Sequence, residues 1–343
     1  MNYLTPQFSV SEVNRAARSL IAADDAADLQ FEKTVVDNWR VAHQFPLNSM
    51  YMTLKGRVKR VSAKALTAQR IKRLPSIRAK LLDRPEMKLS QMQDVGGCRA
   101  VMPTLDALLE VRDVYLSRPI THQFGGEKDY ISHPKTTGYR GIHLKYRFAG
   151  NGRSEPWKGL KIEVQLRTLL QHKWATAVEA AATFTNAQLK SNQGSAEWLR
   201  FFALMSSYFA IQEGCPIVPG TPRGVEEIRR EVRALNRQHH IVETFERYSV
   251  IIPHIERRTD AVYFLVTLDP LQREVSVVGY KKRFFAAANN AYLAAEGSLP
   301  EATTKQVVLV SVSSITALKK AYPNYFLDTQ DFLREVRNLI SYP

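Results

Sequence analysis

Two short stretches restrict this chain more than any others. In Gly141-Ile-His-Leu-Lys-Tyr-Arg-Phe148, the apolar residues Ile142, Leu144 and Tyr146 alternate with His143, Lys145 and Arg147. In Lys161-Ile-Glu-Val-Gln-Leu-Arg-Thr168, the apolar residues Ile162, Val164 and Leu166 alternate with Glu163, Gln165 and Arg167. A period of two puts each set on its own face of a strand. The apolar sets require a core, so the polar sets share the opposite face. An ordinary water-facing sheet has the same alternation. What sets this one apart is its chemistry: an imidazole, a carboxylate, an amide and a guanidinium converge on one face.

The loop entering the first strand, Lys128-Asp-Tyr-Ile-Ser-His-Pro-Lys-Thr-Thr-Gly-Tyr-Arg-Gly-Ile-His143, adds to that face. Pro134 and Gly138 mark it as a turn. Lys128, Lys135, Arg140 and His143 supply donors for anionic oxygens. Tyr139, next to a glycine, reads as a ring free to lie against a planar base. Phosphate donors beside a stacking ring suggest a nucleotide site.

Charge points the same way. The formal net charge is +15, and the segment from Lys55 to Lys88 holds twelve lysines and arginines against Asp83 and Glu86, a local balance of +10. A solvated face normally intersperses both signs, so this bias favours a surface for phosphate. Pro75 followed by Ile77, Leu81 and Leu82 predicts a helix starting near Ser76, with Lys80 one turn later on the same face. Arg70 and Lys72 lie just before it, an arrangement suited to a polyphosphate. Gly96 and Gly97 then open a buried strand with Asp94 at its mouth. Asp94 and Glu163 are two carboxylates on sheet edges, enough for Mg2+ completed by substrate phosphates. These residues fit an Mg2+-dependent transfer from a nucleoside triphosphate, which is mostly positioning and charge neutralisation.

The rest of the chain reads as scaffold with a second unit. Helical periodicity runs over 11–45, 105–116, from Leu169 past His172, through Trp198–Tyr208, and over 221–248. Pro216, Pro219, Gly220 and Pro222 mark a linker. Two β-rich runs from Ala261 and Glu274, the strand Gln306–Val312 and helices near 282–296, 313 and 328 form a small α+β unit without a catalytic constellation of its own. The predicted fold is α+β, a mixed sheet flanked by helices with a second, smaller α+β C-terminal domain. Its predicted division is 1–215, a helical linker over 216–258, and 259–343. Two cysteines, Cys98 and Cys215, give neither a disulfide framework nor metal-ligand spacing and fit a reducing cytoplasm. No basic-then-apolar leader or run of ~18 apolar residues is present, so the expectation is a soluble cytoplasmic chain with no membrane partner.

The sequence resembles the RelA/SpoT nucleotidyltransferase family, the alarmone synthetases. Arg70-x-Lys72-x-x-x-Ser76-x-x-x-Lys80 matches the family's ATP-binding element. Asp94 with Gly97-x-Arg99 matches its metal-binding region. Lys128-Asp-Tyr-Ile, Pro134-Lys135 and Gly138-Tyr139-x-x-x-His143 match its acceptor loop, and Glu163-x-Gln165-x-Arg167-Thr168 followed by His172 matches its catalytic strand. Thr137 and Gly141 depart from the asparagine and serine usual in that loop, and both bear on the acceptor. The resemblance implies that Asp94 and Glu163 hold Mg2+, with Glu163 also drawing a proton from the attacking hydroxyl. It implies further that Arg70 stacks on adenine while Lys72, Ser76, Lys80 and Arg99 bind the ATP phosphates. Tyr139 would stack on the acceptor base, with Lys128, Lys135, His143, Gln165 and Arg167 orienting the acceptor.

Near the C-terminus, Tyr322-x-x-Tyr325 is similar to the Tyr-x-x-Tyr element of CapRel proteins, fused toxin–antitoxin members of the family. That likeness implies an autoinhibited toxin of phage defence, released by a phage protein, that pyrophosphorylates the 3′-CCA end of tRNA. The alternative is a small alarmone synthetase that acts on GDP/GTP or adenosine nucleotides to make (p)ppGpp or (p)ppApp. Tyr322 and Tyr325 would be the autoinhibitory residues; as plain aromatics they would instead cover the last helices.

Overall fold

A computed structural model describes residues 3–22, 29–118, 120–185, 196–248, 252–255, 260–299, 303–312, 314–326 and 328–341. The N-terminal helices α1 (Val10–Ala22), α2 (Gln30–Ala42) and α3 (Gln44–Val61) lead into β1 (Leu66–Ile71) and α4 (Leu74–Asp83). Then come β2 (Gly96–Met102), α5 (Leu105–Ser117), β3 (Gln123–Asp129), β4 (Ile142–Arg147), β5 (Lys161–Thr168), α6 (Leu169–Thr185) and α7 (Ala196–Gln212). After α8 (Val225–His239) and α9 (Ile241–Tyr248) follow β6 (Ile252–Ile255), β7 (Tyr263–Asp269), β8 (Glu274–Tyr280), α10 (Phe285–Gly297), β9 (Gln306–Ser311), α11 (Ile315–Ala321) and α12 (Gln330–Ser341). The mixed α+β class agrees with the sequence reading.

All nine strands form one sheet in the order β3-β4-β5-β2-β1-β9-β7-β8-β6. Strands β2 and β5 run parallel, while β1 with β2 and β4 with β5 are antiparallel. The strands of the C-terminal region extend the same sheet, joined to β1 by only two residue pairs, Gln69 with Ser311 and Arg70 with Val310. One sheet face buries Ile71, Cys98, Ala100, Leu144, Val164 and Leu166 against Leu47, Met50 and Leu54 of α3 and Leu108 and Val111 of α5. The opposite face carries Arg70, Arg99 and Glu163, with Glu179 of α6 near Arg70 and Arg99. Further along that face, Phe264, Val308 and Val310 pack with Ala68, Tyr322 and Tyr325.

Several boundaries differ from the sequence reading: the helix expected over 221–248 breaks at His240 (φ 48°) into α8 and α9, and Ile252–Ile255, within the expected helical linker, forms β6. Residues 44–61, not assigned a helix there, form α3, whose Leu47, Met50, Tyr51, Leu54 and Val58 supply a buried stripe at helical spacing. Helix α4 starts at Leu74 with Pro75 in its first turn, and its cap position is Arg73. Its first amide donates to Glu296 Oε1 of α10 at 3.0 Å. Glu296 also meets the wholly buried Arg40, which bonds Asp37, Tyr292 and the Lys72 carbonyl. A buried cation with this many acceptors is costly to strip of any one of them. Helix α2, the start of α4 and α10 are therefore locked together.

The last helix is equally fixed. Phe332 of α12 is 1% exposed and stacks edge-on or tilted with Phe201, Phe202, Phe209 and Phe245. Lys173 of α6 pairs with Glu335 at 2.7 Å. Phe332→Ala should therefore cost about 3–5 kcal/mol, as large-to-small changes in packed cores do. Deleting residues from 328 onward should yield an unfolded chain in a denaturant titration. A deletion that leaves the midpoint unchanged would refute this placement of α12.

Candidate active site

Register brings the polar residues into two lanes across one face. Lys128, His143, Gln165 and Arg99 lie opposite one another across β3, β4, β5 and β2. Lys145, Glu163, Gly97 and Arg70 do the same across β4, β5, β2 and β1. Strand order thus converts four separate sequence motifs into one surface.

Asp94, in the loop entering β2, accepts from Lys72 Nζ at 2.9 Å and from Lys80 Nζ at 2.7 Å, one lysine to each oxygen. Burial alone would raise its carboxyl pKa, but the two ammonium groups outweigh that and hold it well below the usual carboxylate range. Glu163 is 7% exposed; its Oε1 accepts from Gln165 at 2.7 Å, and its Oε2 lies 3.2 Å from His143 Nδ1. Burial opposes its ionisation as well, yet the His143 bond keeps it ionised, while Asp94 pushes the other way. Ser76 is half-buried in the first turn of α4, one turn before Lys80.

On the β4 side, Tyr139 is held by its hydroxyl. It meets His143 Nε2 at 2.5 Å and accepts from Arg167 Nη2 at 3.1 Å. Burial works against the phenolate, but Arg167 and then His143 pull the phenol down to about 7. His143 is raised to about 9: Tyr139 and Glu163 outweigh burial. The ring is less open than the sequence suggested. Lys135 Nζ stands 5.4 Å from its centroid and Arg167 5.2 Å, with Tyr130 edge-on at 5.7 Å. A base stacking there would take the place of one of these groups. Gly138 (φ +93°) anchors the loop, because an added Cβ would meet Trp174 at 2.8 Å, and Ser206 Oγ donates to its carbonyl at 2.6 Å. Gly141 (φ +149°) leaves room for Arg167, whose Cγ would lie 3.4 Å from a Cβ there. Lys128 is exposed at the rim.

Tyr322 and Tyr325 come to the same face from the C-terminal region. Tyr322 is 2% exposed, with the Arg99 guanidinium 5.6 Å from its ring centroid. Arg70 Nη1 donates to the Tyr325 hydroxyl at 3.4 Å, and Arg73 stands 5.9 Å from that ring. What remains between Arg70, Lys72, Asp94, Arg99, Gln165 and Tyr322 is a cleft of about 30 Å³. That holds a water or two, not a triphosphate. His172 faces the Lys320 carbonyl at 3.1 Å, so α6 also holds the segment that carries these tyrosines. Burial, with Arg99 and Arg167 nearby, depresses its imidazole to about 3.

Arg140, expected among the donors for anionic oxygens, is instead buried, its guanidinium paired with Glu213 at 2.6 Å and donating to the Ser206 carbonyl. The sequence reading passed over Tyr130 and Arg73 as site residues, although Tyr130 stands inside the acceptor loop and Arg73 follows Lys72 directly. It named Lys145 only as part of the alternation.

Residues 69–188 match the model of a region found in RelA/SpoT proteins. The matched span includes the residues from Arg70 to His172 that the sequence motifs singled out. An uncharacterized protein of Mycobacterium tuberculosis is 32% identical over 126 residues, 35% of this chain and 41% of that protein. The GTP pyrophosphokinase YjbM of Bacillus subtilis is 30% identical over 109 residues, 31% of this chain and 51% of that protein. The chain thus spans about half or less of these relatives. Small alarmone synthetase 1 of Bacillus subtilis, solved with its product pppGpp, is 20% identical with a TM-score of 0.43, covering 55% of this chain and 94% of that one. Among the described residues no helix is long and apolar enough to cross a membrane.

Two buried neutral imidazoles set an acid limit. Burial depresses His43 to about 4, and His172 lies at about 3. Both lie below the ordinary value of about 6.5, so the unfolded chain takes up these protons first and stability falls as pH drops below that value. Between pH 6.5 and 5 the loss should be about 2–4 kcal/mol by urea titration, and His172→Gln should reduce it. A flat profile would contradict both placements.

Proposed function

We propose that this chain is a RelA/SpoT-type pyrophosphokinase, moving the diphosphate of ATP to a ribose 3′-hydroxyl and held idle by its own C-terminal region, residues 259–343. The observation that carries this reading is the single face on which Asp94, Glu163, Arg70, Lys72, Lys80 and Arg99 meet the Tyr139 loop. In the transfer, the 3′-oxygen attacks the β-phosphorus of ATP and the bond to the α-phosphate oxygen breaks, releasing AMP. The hydroxyl proton passes to Glu163, whose carboxylate is held ionised by His143. Lys72, Lys80 and Arg99 bind the phosphates, Ser76 adds a hydroxyl, and Arg70 takes the adenine.

The donor set fits Mg2+. Among the described residues no group of three or more His, Cys, Asp and Glu could hold a metal unaided. Two carboxylates completed by phosphate oxygens are the usual arrangement for this ion. Asp94 and Glu163 would hold it, and when bound it supplies charge neutralisation on the triphosphate.

Tyr139, Lys128, Lys135, His143, Gln165 and Arg167 receive the acceptor. We assign that acceptor to the 3′-CCA end of tRNA, which makes the chain a translation-blocking toxin of phage defence restrained until a phage protein engages it. Support comes from Tyr322 and Tyr325 filling the arginine pocket, and from Lys128 and Lys135, both exposed beside the acceptor loop. A second reading, a small alarmone synthetase using GDP or GTP, is favoured by the 30% identity to the GTP pyrophosphokinase YjbM. We place the protein in the cytoplasm, where either acceptor is found.

Incubation with γ-labelled ATP and either tRNA or GDP distinguishes the readings by which acceptor gains label. Glu163→Ala should abolish transfer. Tyr325→Ala, checked for folding by its thermal melt, should raise transfer at least tenfold. If that folded variant labels neither acceptor, the pyrophosphokinase reading fails.

A further inference from the structure

A cavity of about 220 Å³ lies away from the catalytic face, between the C-terminal half of α3, the start of β1 and α11. Among the described residues β9 pairs with β1 at Gln69 and Arg70, and the cavity lies beside the start of β1 that β9 leaves unpaired, at Ala65 to Thr67. Tyr51, Val58 and Leu66 give it an apolar floor, while Lys55 and Lys59, one helical turn apart, share its rim. Ala317 of α11 contributes the far wall. Both lysines are exposed, and neither forms an ion pair among the described residues.

Lys55 and Lys59 are the charged residues in the lining of this cavity. No Asp or Glu occurs from His43 to Leu82, nor from Ala302 to Leu327, so neither wall brings an acid of its own. Arg60 and Lys64 add two further exposed cations next to the rim. An aromatic and apolar floor under a cationic rim selects a ligand that is flat and apolar at one end and anionic at the other. The volume lies below the 300–1,000 Å³ usual for whole drug-sized ligands. It therefore admits one ring system, with the anionic part left outside at the lysines.

We propose that this groove binds a nucleoside phosphate, base against Tyr51 and phosphate on Lys55 and Lys59, as a regulatory site separate from the catalytic face. Helix α11 runs directly into Tyr322. A ligand braced against Ala317 therefore supports the helix that carries the tyrosines into the arginine pocket. The wall is present with those tyrosines in place, so the ligand favours the blocked form. That consequence rests on the proposed function; the binding itself does not.

The test is equilibrium dialysis of the full chain with radiolabelled ADP. ADP should bind the parent chain and Lys80→Met, whose change lies in the catalytic pocket, with similar affinity. Binding should weaken at least tenfold in Lys55→Glu/Lys59→Glu and in Ala317→Trp, which fills the groove and leaves the lysines in place. Bound ADP should also slow amide hydrogen exchange over 314–326. Loss of binding in Lys80→Met, undiminished binding in either groove variant, or no binding to the parent chain each overturns the proposal. A chain that binds ADP in the groove yet transfers no diphosphate leaves this site standing and defeats only the catalytic reading.

Discussion

Three guanidinium groups gathered under one helix are the constraint around which this molecule is arranged. Arg70, Arg99 and Arg167 stand on adjacent strands of one face, and the fields of Arg70 and Arg167 both act on Arg99. Burial and those neighbours lower Arg99 to about 10, well below an ordinary guanidinium. Glu179 on α6 offsets part of that charge. The rest is met by the faces and hydroxyls of tyrosines, a weaker complement than an anion. On the proposed function, that incomplete compensation is what a triphosphate would complete.

The same tension explains why the C-terminal region continues the sheet. Strand β9 attaches to β1 at the position of Arg70 itself, so the strand that supports the arginine also directs the chain toward Tyr322 and Tyr325. Glu296 and Tyr292 of α10 meanwhile neutralise Arg40 and reach the first amide of α4. The elements around the candidate site and those of the C-terminal region thus share both a sheet and a buried ion network.

Much of this was legible in the residues. The alternation in 141–148 and 161–168 specified which side chains share a face, because register in a sheet with one buried side is strongly constrained. The loop around Gly138 declared itself through a backbone position that only glycine fills. Helix α3 was also written in the spacing of Leu47, Met50, Tyr51, Leu54 and Val58, but the lysines and arginines among them drew attention to charge. The closure of Tyr139 by Lys135 and Arg167 depends on side-chain packing across strands distant in sequence, and no local pattern encodes it. Nor does sequence spacing reveal that β9 would find β1 across more than two hundred residues.

The pairing of β9 in the sheet and the anchoring of α12 in its aromatic cage fix the two ends of the segment bearing Tyr322 and Tyr325. On the proposed function, their rings act as a tethered competitor for ATP whose local concentration stays constant however far the protein is diluted. Whatever displaces them would then have to remain in place, since the segment returns by a unimolecular step as soon as it is released.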